Sequence, residues 1–133
     1  MDINDLRKIG RRLKEEVTLN LEDLRRGGPV GRGAGGDMTH PVDKKAEDII
    51  FEEAEKAGKP LTIVSEEYGT MDIKGGGPRL LVDPIDGSRN ALSGIPLFST
   101  SMALIDGDTI GKTSLGYVIN LVSGDEFWAI KGG

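Results

Sequence analysis

Asp83 and Asp86 stand three positions apart in the run Val82-Asp83-Pro84-Ile85-Asp86-Gly87-Ser88. Leu80-Leu81-Val82 precedes them and reads as the end of a buried strand. Carboxylates at a strand's end can hold a hard cation such as Mg²⁺. The Gly87-Ser88 step can open a helix, and the first backbone N–H groups of a helix attract an anion. Cation and anion sites this close together suggest phosphate-ester chemistry. A second acidic pair, Glu66-Glu67, follows another short apolar run, Leu61-Thr62-Ile63-Val64. If the two strands are neighbours in one sheet, four carboxylates converge at their ends. Unpaired, such groups repel one another and resist ionisation. Divalent cations relieve this, and an oxygen-only set suits Mg²⁺ or Mn²⁺. Pro84 has a fixed φ and no N–H to donate. It can help turn the chain so that Asp83 and Asp86 face one cluster, leaving the Ile85 carbonyl free as a neutral oxygen ligand. Gly87 lets the backbone approach a phosphate closely, and Ser88 adds a hydroxyl.

The elements that must position these groups can be read from periodicity. Ile3, Leu6, Ile9, Leu13, Val17, Leu21 and Leu24 recur at three- and four-residue steps, one apolar stripe on an amphipathic helix. That stripe fits a core face or a subunit interface. Gly27-Gly28-Pro29 ends the helix, and residues 27–36 read as a flexible loop. A second helix is expected from near Thr39, as its cap, to Ala57, with Pro41 in its first turn. Val42, Ala46, Ile49, Ile50 and Ala54 would form its buried face, and Gly58 stops it. After the strand at Leu61–Val64 comes a loop with glycines at 75–77, then the strand at Leu80–Val82 and a short helix from Asp86 to about Leu92. Strands follow over Phe98–Ile105, Leu115–Leu121 and Glu126–Ile130, with turn signals at Asp106-Gly107-Asp108 and Ser123-Gly124-Asp125. Phe127 and Trp128 read as core and edge residues of the last strand. Two helices followed by a strand-rich half make a layered α/β (α+β) domain.

Composition narrows the function classes. The chain has 133 residues, a size ordinary for one domain, and a net charge of −5. This acidity argues against a nucleic-acid binder. There is no cysteine, which removes disulfides and zinc–thiolate sites. The polar start Met1-Asp2-Ile3-Asn4-Asp5 does not read as a signal peptide. No apolar run nears the ~20 residues a membrane helix needs. A cytoplasmic protein without membrane partners is the expectation.

The ordered motifs resemble those of the inositol monophosphatase family, including its archaeal branch that also hydrolyses fructose 1,6-bisphosphate. The family pattern is a Glu-Glu pair after a strand, then Asp-Pro-Ile/Leu-Asp-Gly-Thr/Ser. Here it reads Val64-Ser65-Glu66-Glu67-Tyr68-Gly69 and Asp83 to Ser88. Thr39 to Lys44 is similar to the family's helix start with its site aspartate, here Asp43. Gly94-Ile95-Pro96-Leu97-Phe98 is similar to the segment after the site helix, and Phe127 to Gly132 to the strand and glycine turn closing the first half. The resemblance implies a layered αβ sandwich of the sugar-phosphatase type, of which residues 1–133 are the amino-terminal half. It implies that Glu66, Asp83 and the Ile85 carbonyl hold one Mg²⁺ (or Mn²⁺), and that Asp83 and Asp86 hold a second. It further implies that Glu66 helps with a weaker third, that Gly87 and Ser88 bind phosphate through backbone N–H groups, and that Asp43 and Ser88 orient and help deprotonate an attacking water that reaches phosphorus in line with no phosphoenzyme. The implied substrate is a small phosphorylated polyol or sugar, with inositol monophosphate and fructose 1,6-bisphosphate favoured. A homodimer or higher oligomer is the implied assembly. The family has one more metal-binding aspartate in a Trp-Asp motif of its carboxy-terminal half. Trp128 is followed by Ala129, so that motif is not here and that half is expected to be absent.

Other readings compete. A truncated member could be a non-catalytic binding or oligomerisation module. The nucleotide-phosphatase branch, acting on 3′-phosphoadenosine or NADP, usually has Leu between its aspartates and Lys after Gly-Thr; here those positions are Ile85 and Arg89. A haloacid-dehalogenase-type phosphatase needs Asp-x-Asp, whereas two residues separate Asp83 from Asp86. An EF-hand loop counted from Asp83 would put Ile85 third and Gly94 twelfth, which fails. Taken singly, Asp83 and Asp86 are ordinary turn residues, Glu66-Glu67 a solvated pair, and Asp43 a favourable charge in a first helical turn. Ser88 could simply be a helix-start hydroxyl. The lone His40 reads as a surface residue, and the Arg-Gly-rich loop is too short and isolated for an RNA-binding tract.

Overall fold

The computed structural model describes residues 1–26, 31–32 and 38–132. The first helix, α1, spans Ile3–Arg26 and buries Leu6, Ile9, Leu13 and Val17 at the expected spacing. The stripe is a core face: it packs on the second helix and on the sheet. Of the loop expected over 27–36, residues 27–30 and 33–36 lie outside the described residues. Within it, β1 (Gly31–Arg32) pairs antiparallel with β2 (Met38–Thr39). Helix α2 therefore begins later than Thr39. It spans Pro41–Ala57, with His40 as the extended cap residue. Thr39 is committed to a backbone ladder, and the Asp43 carboxylate reaches back to accept from the His40 N–H at 3.3 Å. Gly58, at φ 69°, closes the helix in the left-handed region that favours glycine.

The remaining strands are β3 (Leu61–Ser65), β4 (Gly69–Ile73), β5 (Arg79–Asp86), β6 (Ser99–Ile105), β7 (Thr113–Asn120) and β8 (Glu126–Ile130), with helix α3 (Ser88–Ser93) between β5 and β6. They form one six-stranded sheet in the order β4-β3-β5-β6-β7-β8. Among the described residues, only β3 and β5 pair in parallel, so their carboxyl ends meet on one side of the sheet. Three expectations are corrected here. The stretch after Glu67 is not all loop, because β4 pairs with β3 as an edge strand. The strand read as Leu80–Val82 runs on through Pro84 to Asp86, and α3 starts only at Ser88. Its register with β6 is irregular between Asp83 and Asp86, so the missing N–H of Pro84 breaks no regular ladder. The connection at Asp106–Asp108 is longer than a tight hairpin and includes a 3₁₀ turn at Ile110–Lys112.

The helices cover one face of the sheet, over Leu80, Val82, Met102, Leu115, Tyr117 and Ile119. Among the described residues, no helix covers the opposite face. There Leu81, Ala103, Val118 and Phe127 line an apolar groove of about 780 Å³ that reaches Asp83. Phe127 is 63% exposed and Trp128 46%, so neither is a core residue; both ride on the edge strand β8. The Arg7 guanidinium lies 4.7 Å from the Trp128 ring centre, a cation–π contact. No described helix is long and apolar enough to cross a membrane.

Where α1 meets β7, Gly10 faces Tyr117, whose hydroxyl donates to Glu126 at 2.8 Å. A Cβ at Gly10 would stand 2.0 Å from that hydroxyl oxygen. Alanine would gain about 1 kcal/mol in helix propensity. Overpacking costs about 1–3 kcal/mol, and so severe an overlap puts Gly10→Ala at the upper end. The expected result is net destabilisation in urea or thermal unfolding; unchanged or raised stability would show that the interface is not packed this way.

Candidate active site

The site is assembled from four segments. The parallel pair β3 and β5 brings Ser65 beside Val82, so the residues after each, Glu66 and Asp83, emerge side by side. The Glu66 N–H donates to the Val82 carbonyl at 3.3 Å, extending that alignment by one residue. Helix α2 enters with its first turn, bringing Asp43. Helix α3 leaves from Gly87, bringing Ser88. Asp43, Glu66, Glu67, Asp83, Ile85, Asp86, Gly87 and Ser88 all line one cleft of about 510 Å³, with His40 and Arg89 at its wall. Every residue to which the motifs assigned a role is thus brought together. His40 was expected to be a surface residue without a role; it caps α2 and borders the cleft.

Asp83 sits at the electrostatic centre. Burial pushes its carboxyl up, and the charges of Glu66 and Asp86, a hydrogen bond to Glu66 and the charge of Asp43 add to it, reaching about 7. Asp43 is 2% exposed. Burial raises its carboxyl too, and the Ser88 hydroxyl and the His40 N–H only partly offset that. Ser88 Oγ lies 2.8 Å from Asp43 Oδ1 and 3.1 Å from the Ile85 carbonyl. One hydroxyl proton can serve only one acceptor at a time, and the shorter contact to a carboxylate is the stronger. The Ile85 carbonyl is therefore not as isolated as expected, yet it keeps lone pairs for another donor or a cation.

Gly87 has φ 96°, and a Cβ there would meet the Leu97 carbonyl oxygen at 3.0 Å. Glycine is required at this step for both reasons. The first-turn amides of α3 have no partner within the helix. The short helix is held from outside by Arg25, whose Nε donates to the Ala91 carbonyl at 2.6 Å.

The donor chemistry fits a hard divalent cation. The set is oxygen-only, and its members crowd like charges around Asp83, a cost that a bound cation would relieve. Among the described residues, no three His, Cys, Asp or Glu side chains are grouped so that they could together hold an ion. The fit therefore rests on donor type and charge crowding. Sequence reasoning missed one buried residue beside the cleft, Glu47, which accepts from the Ser65 hydroxyl and the Tyr68 N–H. Its only signal was its place one turn after Asp43 on the buried side of α2.

Comparison with known proteins agrees with the fold. A sequence model of the inositol monophosphatase family matches residues 2–133. A fructose-1,6-bisphosphatase/inositol-1-monophosphatase of Archaeoglobus fulgidus is 35% identical over 136 aligned positions, covering 100% of this chain and 52% of that protein. A protein of the same description from Methanothermobacter thermautotrophicus is 36% identical over 113 positions, covering 77% of this chain and 40% of that protein. The chain thus spans about half the length, or less, of these curated relatives. A crystal structure of an inositol monophosphatase–fructose 1,6-bisphosphatase superposes with a TM-score of 0.84 at 26% identity, covering 100% of this chain and 51% of that one. The chain belongs to the inositol monophosphatase family.

Proposed function

We propose that the full-length protein is a Mg²⁺-dependent phosphomonoesterase that hydrolyses inositol monophosphate, fructose 1,6-bisphosphate or both. The observation that carries this reading is the gathering of Asp43, Glu66, Asp83, Asp86, Gly87 and Ser88 around one cleft at the carboxyl ends of two parallel strands. Glu66, Asp83, Asp86 and the Ile85 carbonyl would hold the cations. When bound, these lower the pKa of a water and neutralise charge on the attacking and leaving oxygens. Asp43, steadied by Ser88, takes the proton from the attacking water. The Gly87 and Ser88 amides hold the phosphate and so fix the line of attack. The named activities of the Archaeoglobus relative support the choice of substrates. The same reading puts the protein in the cytoplasm as a homodimer or higher oligomer.

The test is an assay of the full-length protein on inositol 1-phosphate, fructose 1,6-bisphosphate, 3′-phosphoadenosine 5′-phosphate and NADP. Phosphate release from the first two, lost with a chelator and restored by Mg²⁺, is the expected result. Preference for either nucleotide would move the protein to that branch of the superfamily. Trapping of a phosphoryl group on Asp83 would overturn attack by water. No release from any of the four, with Mg²⁺ or Mn²⁺, would end the proposal.

A further inference from the structure

Helix α2 carries Asp43 to the cleft and, one turn later on the same buried side, carries Glu47. Glu47 is 2% exposed. A carboxyl group this deep is costly unless its oxygens are well hydrogen-bonded. Among the described residues, its two hydrogen-bond donors are neutral. Ser65 Oγ–H donates to Glu47 Oε2 at 2.6 Å, and the Tyr68 N–H donates to the same oxygen at 2.9 Å. Ser65 is the last residue of β3, and Tyr68 directly precedes β4. One oxygen therefore grips both ends of the turn that carries Glu66 and Glu67. Phe51, one turn further along α2, meets the Tyr68 ring edge-on, with centroids 5.2 Å apart and planes at 82°. A well-packed apolar residue would fill the same space without the desolvation cost of a carboxyl, so stability alone does not account for a glutamate there.

We infer that Glu47 is a positioning residue for the cleft. It clamps the β3–β4 turn to α2 so that Glu66 is held against Asp83 despite their like charge. This rests on the divalent-cation reading above. Without the clamp, repulsion from Asp83 and Asp86 would swing Glu66 outward, and drawing it back would take up binding energy each time a cation bound. The same helix then fixes both the Asp43 carboxylate and the glutamate turn, which sets their spacing.

The experiment measures Mn²⁺ binding directly, by electron paramagnetic resonance or calorimetry, on the full-length protein and on Glu47→Ala, Glu47→Gln, Ser65→Ala and Ile49→Val. Melting temperatures are recorded alongside. Loss of a supporting group around metal ligands typically costs about 10–100-fold in affinity, and that is the loss expected for Glu47→Ala. Glu47→Gln keeps an oxygen that can accept both bonds, so its affinity should stay within a few-fold of the parent. Ser65→Ala removes one bond of two and should fall between; it also serves if Glu47→Ala does not fold. Ile49→Val, in the core-facing stripe of the same helix, should lower the melting temperature and leave Mn²⁺ affinity unchanged. Folded Glu47→Ala and Ser65→Ala proteins with parental affinity would overturn the role of Glu47 and leave the cation reading standing. A parent protein that binds no Mn²⁺ would overturn both.

Discussion

Asp83→Asn is expected to abolish cation binding and to lower turnover of the full-length protein by about 10³-fold, the equivalent of the several kcal/mol of charge stabilisation a catalytic cation supplies. Asparagine keeps the shape of the side chain and its carbonyl oxygen but removes the charge. Asp83 is the position where that charge matters most, because Glu66, Asp86 and Asp43 all act on it. The same crowding gives the prediction a second edge. A carboxyl whose folded value is raised ionises more readily in the unfolded chain. Its charge therefore destabilises the metal-free fold increasingly as pH rises from about 4, the ordinary value for Asp, toward about 7. Asp83→Asn removes this penalty, so the metal-free variant should melt higher than the parent at neutral pH. Added Mg²⁺ should raise the melting temperature of the parent and not of the variant. Retained turnover at saturating Mg²⁺, or a variant that melts lower without metal, would mean that Asp83 is not the centre of a cation site.

Periodicity made the helices legible. The stripe from Leu6 to Val17 needs only a spacing of three and four residues to be recognised, and it is buried as read. The motif around Asp83 was legible for a different reason: its residue types are unusual together, so few structures other than a strand-end site explain them. What escaped depends on contacts between distant segments. β4 (Gly-Thr-Met-Asp-Ile) is largely exposed or half-buried and has only two apolar side chains, and only pairing with β3 makes it a strand. Pro84 reads as a residue that helps turn the chain after the strand. It is instead tolerated inside β5 because the register slips there and Thr100 donates to its carbonyl at 2.7 Å. Thr39 is a better cap residue than His40 by type, but β2 claims it first. Glu47 was hidden because a glutamate on a helix is ordinarily solvated. Only the arrival of the β3–β4 turn, some twenty residues later, gives it a buried role. Leu81 shows the limit of an apolar run: it was read with its neighbours as buried, yet it faces the open side of the sheet at 37% exposure.

The pair Asp43–Ser88 should behave as a single device. Asp43 is buried at the start of α2, and its carboxyl stands above the ordinary range because burial outweighs the Ser88 and His40 hydrogen bonds. A raised carboxyl is a stronger base than an ordinary one and so is better matched to removing a proton from water near neutral pH. Ser88 holds one of its oxygens at 2.8 Å, which fixes the direction in which the other lone pairs point. Losing a general base typically costs about 10²–10⁴-fold, so Asp43→Asn should reduce kcat by that order with little change in KM. Asparagine can still accept from the His40 N–H, so stability should stay near that of the parent. Ser88→Ala leaves the carboxylate but lets it turn, and its kcat should fall by a similar order. If the two acted independently, each near 10³-fold, the double variant would lose about 10⁶-fold, since independent free-energy costs add. Groups that act as a unit do not add in this way, and the double variant should be scarcely slower than the worse single one. Mn²⁺ affinity, measured in parallel, should remain close to parental in all three, because neither side chain is assigned to the cations. Full multiplication of the two losses, or a collapse of Mn²⁺ binding in Ser88→Ala, would show that the hydroxyl works on the cations or the phosphate rather than through Asp43.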